Sequence, residues 1–297
     1  MAAARGQPTA SQPRRGSLAT VPVLVTSAHQ PLARRLAARL LEEGGEVRAT
    51  ADGDVSALRA AGAFIATATP DDEGRLEAAL ADVHTVVHVG GGLATTRPER
   101  IVSDAEVVAR AAEGAGIKRL IALSLPGASP RADDELRRAK GHAEQRLAEL
   151  PCPTIMLRTG LLDTPWLRDT LVTAGLSPEL LTTPIRPVRV EDVVELVVAF
   201  DRARASSREG HLVVAADGPH TTSIAGYLDR VIAGGTGAAS TGTGGTGRIS
   251  RVGRRLPDAE VVDRLAAVLA GPWEQDAPEL LDGWGFAGLE PRQPGLA

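Results

Sequence analysis

The chain has 297 residues, a formal net charge of -4, and 43% hydrophobic and 24% charged residues. That is enough apolar material for a large domain with an appendage, and too little positive field for a nucleic acid or an anionic membrane as partner. A single cysteine, Cys152, excludes an internal disulfide framework and fits a reducing, cytoplasmic setting, and no apolar run of about 18 residues predicts a membrane span.

Residues 1–20 are rich in Ala, Pro, Ser and Arg without an apolar stretch, which predicts a disordered arm. From Val21 to Thr26 a β-branched run is followed by Leu32, Leu36, Leu40 and Leu41 on one helical face, ended by Gly44 and Gly45. The alternation repeats with strands at 46–51, 63–67 and 85–89 and helices through Leu76 and Leu80 and over 101–113. Strand 119–123, helix 133–149 and strand 154–158 complete six strands separated by helices. The expected fold class is therefore α/β, a doubly wound parallel sheet of Rossmann-like form.

Beyond Gly160 the rhythm changes. Helices are expected at 166–173, 191–204 and 223–232, with a strand at 211–215, as a smaller, mostly helical C-terminal cap. The division is then an arm at 1–20, a Rossmann-like domain at 21–160 and a cap or substrate region at 161–297. Residues 234–247 are nearly all Gly, Thr, Ala and Ser and read as a flexible loop. A last helix at 258–269 leads to a tail with Trp273, Trp284 and Phe286, three of only seven aromatics.

The chemistry concentrates at the first strand-to-helix turn, Val-Leu-Val-Thr-Ser-Ala-His-Gln-Pro-Leu-Ala, residues 23 to 33. Taken with Lys-Arg-Leu-Ile-Ala-Leu-Ser from Lys118, Arg-Arg-Ala-Lys from Arg137, Ile-Met-Leu-Arg-Thr-Gly from Ile155 and Val-Arg-Val-Glu-Asp-Val-Val from Val188, it resembles the NmrA-like, atypical short-chain dehydrogenase/reductases. The similarity covers roughly residues 21–216. In that family the turn is Thr-Gly-x-x-Gly-x-x-Gly, and the resemblance places Thr26 on its threonine and Ser27, Gln30 and Ala33 on its three glycines.

Ala33 is an accepted substitute, and Ser27 can be accommodated with some strain. Gln30 projects a side chain where the phosphates should meet the helix N-terminus. After the second strand, Asp52 stands where NADP-preferring relatives often carry Arg, so it repels a 2′-phosphate and can bond a ribose hydroxyl. Thr69 replaces the family's Asp near the adenine. Leu136 replaces the Tyr of the Tyr-x-x-x-Lys pair, whose Lys remains as Lys140.

Four departures together make this fingerprint vestigial at Thr26, Ser27, Gln30, Ala33, Asp52, Thr69 and Gly90. The expected function is a small-molecule enzyme of specialised metabolism without a cofactor, of cyclase, isomerase or dehydratase type. An NAD(P)H-dependent oxidoreductase is the first alternative, and a non-catalytic regulator or binder in the style of NmrA the second.

The expected catalytic residues are Ser124, at the family's Ser or Thr position, Lys140, as a fixed cation, and His29, a residue type that titrates near neutrality. Gly91, Arg158 and Trp166 are expected around the substrate. His88 reads as a packing residue within its strand. No metal site is expected from the His, Cys and carboxylate spacing. The expected partner is a small organic substrate, with neither nucleic acid nor membrane, and the chain as a monomer or homodimer.

Overall fold

The computed structural model describes residues 21–66, 73–203, 210–237 and 259–273. The expected arm at 1–20, Thr69, most of the glycine-rich segment, Trp284 and Phe286 lie outside them. Among the described residues no helix is long and apolar enough to cross a membrane.

Short buried runs build the sheet, as expected of strands covered on both faces. They are β1 (Val23–Val25), β2 (Val47–Thr50), β3 (Phe64–Ala66), β4 (Thr85–His88), β5 (Arg119–Ser124) and β6 (Thr154–Thr159). Two further pairs of short strands, β7 (Leu162–Asp163) with β9 (Val188–Arg189) and β8 (Pro184–Ile185) with β11 (Thr222–Ser223), form small separate sheets. The run expected to be a strand of the cap, β10 (His211–Ala216), instead pairs parallel with β6 along its whole length.

The central sheet therefore has seven strands rather than six, all parallel, in the order β10-β6-β5-β4-β1-β2-β3. Periodicity in the sequence reveals a strand but not its neighbour, which is why this one was assigned to the wrong layer.

Helices cover both faces. On one lie α1 (Pro31–Glu42), the short α2 (Ser56–Ala60) and α8 (Val190–Arg202), whose apolar sides share a core with β1 and β2. On the other lie α3 (Glu73–Leu80), α4 (Glu99–Ala115) and α5 (Glu135–Ala148). The smaller helices α6 (Pro165–Thr173), α7 (Pro178–Leu181), α9 (Ile224–Gly237) and α10 (Ala259–Leu269) follow. α9 runs through Gly237, so the first four residues of the expected loop are helical.

Strand order reverses between β4 and β1, and the crevice outside the carboxyl ends of those two strands is where such sheets bind ligands. α10 is fastened near it. Buried Arg137 on α5 donates to the carbonyl oxygens of Pro126 (2.7 Å), Val268 (2.8 Å) and Pro272 (2.9 Å), and its guanidinium lies 5.1 Å from the Trp273 ring centre. Trp273 thus packs the C-terminal segment onto the body. Cys152 is half-buried, and burial pushes its thiol pKa up, away from reactivity.

Candidate functional site

The β1–α1 turn keeps the shape of a glycine turn without its first glycine. Ser27 adopts φ 58°, the left-handed region in which L-residues are strained. It is held there by its amide donating to Thr50 Oγ1 (3.2 Å) and its carbonyl accepting from the Gln30 amide (2.8 Å). Gln30 is the N-cap of α1 at φ -74° and ψ 143°, so its backbone does not need glycine, and its side chain makes no capping hydrogen bond. Pro31 at the first helical position removes one amide from the helix end, while no acid stands in the first turn to oppose an anion. Ala33 is fully buried against the sheet.

Two cavities open over the strand ends. The first, about 210 Å³, is lined from one side by Thr26, Ser27, His29 and Gln30, from β2 by Thr50 and Asp52, and from α4 by Arg100. His88 and Asp104 also contribute. The second, about 300 Å³, is bordered by Gly91, Thr95 and Arg97. Gln30, Arg100 and Asp104 line both, so the two join as one trough across the switch point.

His29 is turned toward β2, where its Nδ1 accepts from the Asp52 amide (3.3 Å). That bond fixes the loop between β2 and α2 rather than aiming the ring at β5. Arg34 donates to the carbonyls of His29 (3.2 Å) and Asp54 (3.1 Å), closing the same corner.

A buried polar cluster lies beside the trough. Lys140 falls on the buried face of α5 because Leu136, Lys140, Ala143 and Leu147 repeat at helical spacing. Its Nζ donates to the Leu123 carbonyl (2.9 Å). Desolvation pushes its pKa down to about 8, against an opposing pull from Glu144.

Gly90 sits against this group. A Cβ there would lie 3.3 Å from Lys140 Nζ and 3.1 Å from His88 Nε2, so the position accepts nothing larger without displacing one of them. Burial, reinforced by the Lys140 charge, pushes the His88 pKa down to about 3 and keeps the ring neutral. Its Nδ1 bonds Thr26 Oγ1 (3.1 Å), which accepts in turn from the Val89 amide (3.0 Å). His88 Nε2 and Ser124 Oγ, both buried, have no hydrogen-bond partner among the described residues. Sequence periodicity marked His88 as packing, and nothing in the pattern signalled its unfilled nitrogen.

The remaining sequence candidates line neither cavity, although Arg158 stands in register with Ser124 between β5 and β6. Arg158 is paired with Glu144 (2.6 Å) and donates to the Ala128 carbonyl (2.9 Å), lining neither cavity. Trp166, 37% exposed on α6, also lines neither. Leu136 is buried in the core, so no proton donor occupies the family's tyrosine position.

Residues 28–174 match the family model described as NAD(P)H-binding. The matched stretch is similar to NAD(P)H-binding domains, in keeping with the Rossmann-like parallel sheet. Similar solved structures include triphenylmethane reductase from Citrobacter sp., with TM-score 0.60 and 15% identity over 72% of this chain and 76% of that one. MoeE5 in complex with UDP-glucose and NAD follows at TM-score 0.58 and 18% identity, covering 71% and 81%. A UDP-galactose 4-epimerase has TM-score 0.59 and 17% identity, covering 72% and 83%. At such identities these structures show the fold. No curated protein matches the sequence.

The family match corrects the expectation of an enzyme without cofactor, and MoeE5 and the Stenotrophomonas maltophila UDP-glucose-4-epimerase are structures that hold NAD. The comparisons give no support to the cyclase, isomerase or dehydratase reading, and they favour the oxidoreductase alternative. The error lay in adding up side-chain departures at Gln30, Asp52, Thr69 and Leu136, while the turn itself keeps its left-handed residue at Ser27 and an ordinary N-cap backbone at Gln30.

The residues present fit a dinucleotide. The left-handed turn is retained at Ser27, Asp52 lines the trough at the end of β2, and Gly91 borders it where a Cβ would press on Thr95. The one departure is at the diphosphate, where Gln30 and Pro31 stand.

Proposed function

We propose that this protein is an NADH-preferring oxidoreductase that reduces the carbonyl of a small organic substrate. The observation that carries the reading is that the end of β5 holds Ser124 Oγ, buried and without a partner among the described residues, and, on the neighbouring Leu123 carbonyl, the desolvated Lys140 amine beside Gly90.

A bound nicotinamide supplies the hydride. Everything else is done by the chain. Asp52 accepts from the ribose hydroxyls of the adenosine end and repels a 2′-phosphate, which sets the preference for NADH. The Gly90–Gly92 segment, lacking side chains, lets a planar ring and a substrate approach the cluster. Ser124 donates from Oγ to the substrate carbonyl oxygen. As the carbonyl carbon gains the hydride and its π bond breaks, Lys140 Nζ gives that oxygen a proton and is reprotonated from water. An amine poised near pH 8 is matched to this task in the absence of a tyrosine at position 136. His88 stays neutral and bounds the cluster. His29, tied to Asp52, serves the adenosine side of the trough.

The test is turnover with a panel of small ketones and quinones, followed by loss of reduced-nicotinamide absorbance, for the wild type and Lys140→Ala. Turnover by the wild type, lost in the variant with cofactor affinity retained, supports the assignment. Equal turnover by both overturns Lys140 as proton donor.

A further inference from the structure

Resting on that reading, we infer that the diphosphate of the dinucleotide is gripped by two side chains facing each other across the trough, the Gln30 carboxamide and the Arg100 guanidinium. They take over the share of the backbone cradle lost at Pro31 and Gln30.

The turn supplies only part of a cradle, from the uncapped Leu32 and Ala33 amides. Pro31 has no amide to offer, and the Gln30 amide is spent on the Ser27 carbonyl (2.8 Å). The nearby cations of α1 point elsewhere. Arg34 is engaged by the His29 and Asp54 carbonyls, Arg35 pairs with Glu191, and Arg39 is held by Glu195 (2.6 Å).

The opposite wall supplies what the turn lacks. Arg100 lines both cavities and is the only cation common to their linings, in the stretch of trough between the adenosine end beside Asp52 and the cluster beside Gly90. Gln30 lines both as well. A carboxamide carries two N–H donors and a guanidinium presents a planar fork, so together they offer the donor set a diphosphate requires.

Asp104, one helical turn beyond Arg100 and lining the same two cavities, carries the opposing charge. An anion set against it is repelled, which places the diphosphate on the Gln30 side of Arg100. Gln30 thus becomes a binding residue in a turn rebuilt around it. The inference has a consequence that runs against family logic, for restoring the missing glycine removes a donor and weakens binding.

The experiment is calorimetric titration of the full chain with NADH, ADP and adenosine, for the wild type, Gln30→Gly, Arg100→Gln and Arg100→Lys, with thermal melts to show each variant folded. The expected result is a loss of about tenfold in affinity for NADH and ADP in both Gln30→Gly and Arg100→Gln, with adenosine unchanged and Arg100→Lys intermediate. The wild-type affinity for ADP also falls more steeply with added salt than that of Arg100→Gln. Tighter ADP binding by Gln30→Gly, or unchanged binding by Arg100→Gln, overturns the clamp while leaving the dinucleotide reading intact. A wild type that binds neither NADH nor ADP overturns both.

Discussion

Lys140 donates from Nζ to the carbonyl oxygen of Leu123 at 2.9 Å while buried to 4% exposure, so α5 holds an amine against the end of β5 with little water around it. Its pKa, pushed down from 10.5 to about 8, means that the folded chain holds this charge at a cost at neutral pH. Lys140→Met should therefore raise the unfolding free energy at pH 7, on the order of 2 kcal/mol, while lowering hydride transfer at least about a hundredfold. Paired urea titrations and turnover assays check this. A variant that loses stability, or keeps its rate, contradicts it.

His88 gives a pH signature of opposite use. Its folded pKa of about 3 lies below its ordinary 6.5, so the unfolded chain takes up a proton first as the solution is acidified. Stability from this group is complete above pH 6.5 and declines as pH falls toward 3, by up to about 1.4 kcal/mol per pH unit. Urea midpoints between pH 4 and 7 should show that slope in the wild type and a shallower one in His88→Gln. Equal slopes remove His88 as the cause.

The proposed NADH preference rests on Asp52. Asp52→Ser removes the charge that repels a 2′-phosphate, and the affinity for NADPH relative to NADH should rise about tenfold. Direct titration with both measures the ratio, and an unchanged ratio assigns the preference elsewhere.

Ser27 stores backbone strain that the fold tolerates. Ser27→Gly keeps both backbone hydrogen bonds of the turn at φ 58° and should stabilise the chain by up to about 1 kcal/mol in chemical unfolding. A destabilisation of that size would show that the serine hydroxyl matters more than the strain.

Arg137, ion-paired with Asp134 (2.8 Å), joins α5 to the C-terminal segment through the carbonyls of Val268 and Pro272 and the Trp273 ring. Arg137→Met should cost about 3 kcal/mol and expose α10 to limited proteolysis, because those carbonyls and Asp134 lose a buried charged partner. Resistance equal to the wild type contradicts the fastening role.

Periodicity made most of the fold legible. The spacing of Leu32, Leu36 and Leu40, and the apolar runs of β1, β4, β5 and β6, required a parallel sheet with crossover helices before any coordinates. What it could not show was adjacency, so the joining of β10 to β6 escaped a reading that knows only local pattern. The site divided in the same way. Residue types marked Ser124 and Lys140 by position, but the unfilled Nε2 of His88, the left-handed Ser27 and the place of Arg100 across from Gln30 exist only in three dimensions. The cofactor was misjudged because the side chains replaced at Gln30, Asp52, Thr69 and Leu136 were weighed as losses, whereas the sequence does not show that the turn around them keeps its shape.

The most direct measurement is calorimetric titration of the wild-type chain with NADH and NADPH. The expected result is saturable binding of one NADH per chain at micromolar strength, roughly -8 kcal/mol, with NADPH about tenfold weaker. No heat from either dinucleotide up to millimolar concentration would contradict an NADH-dependent function.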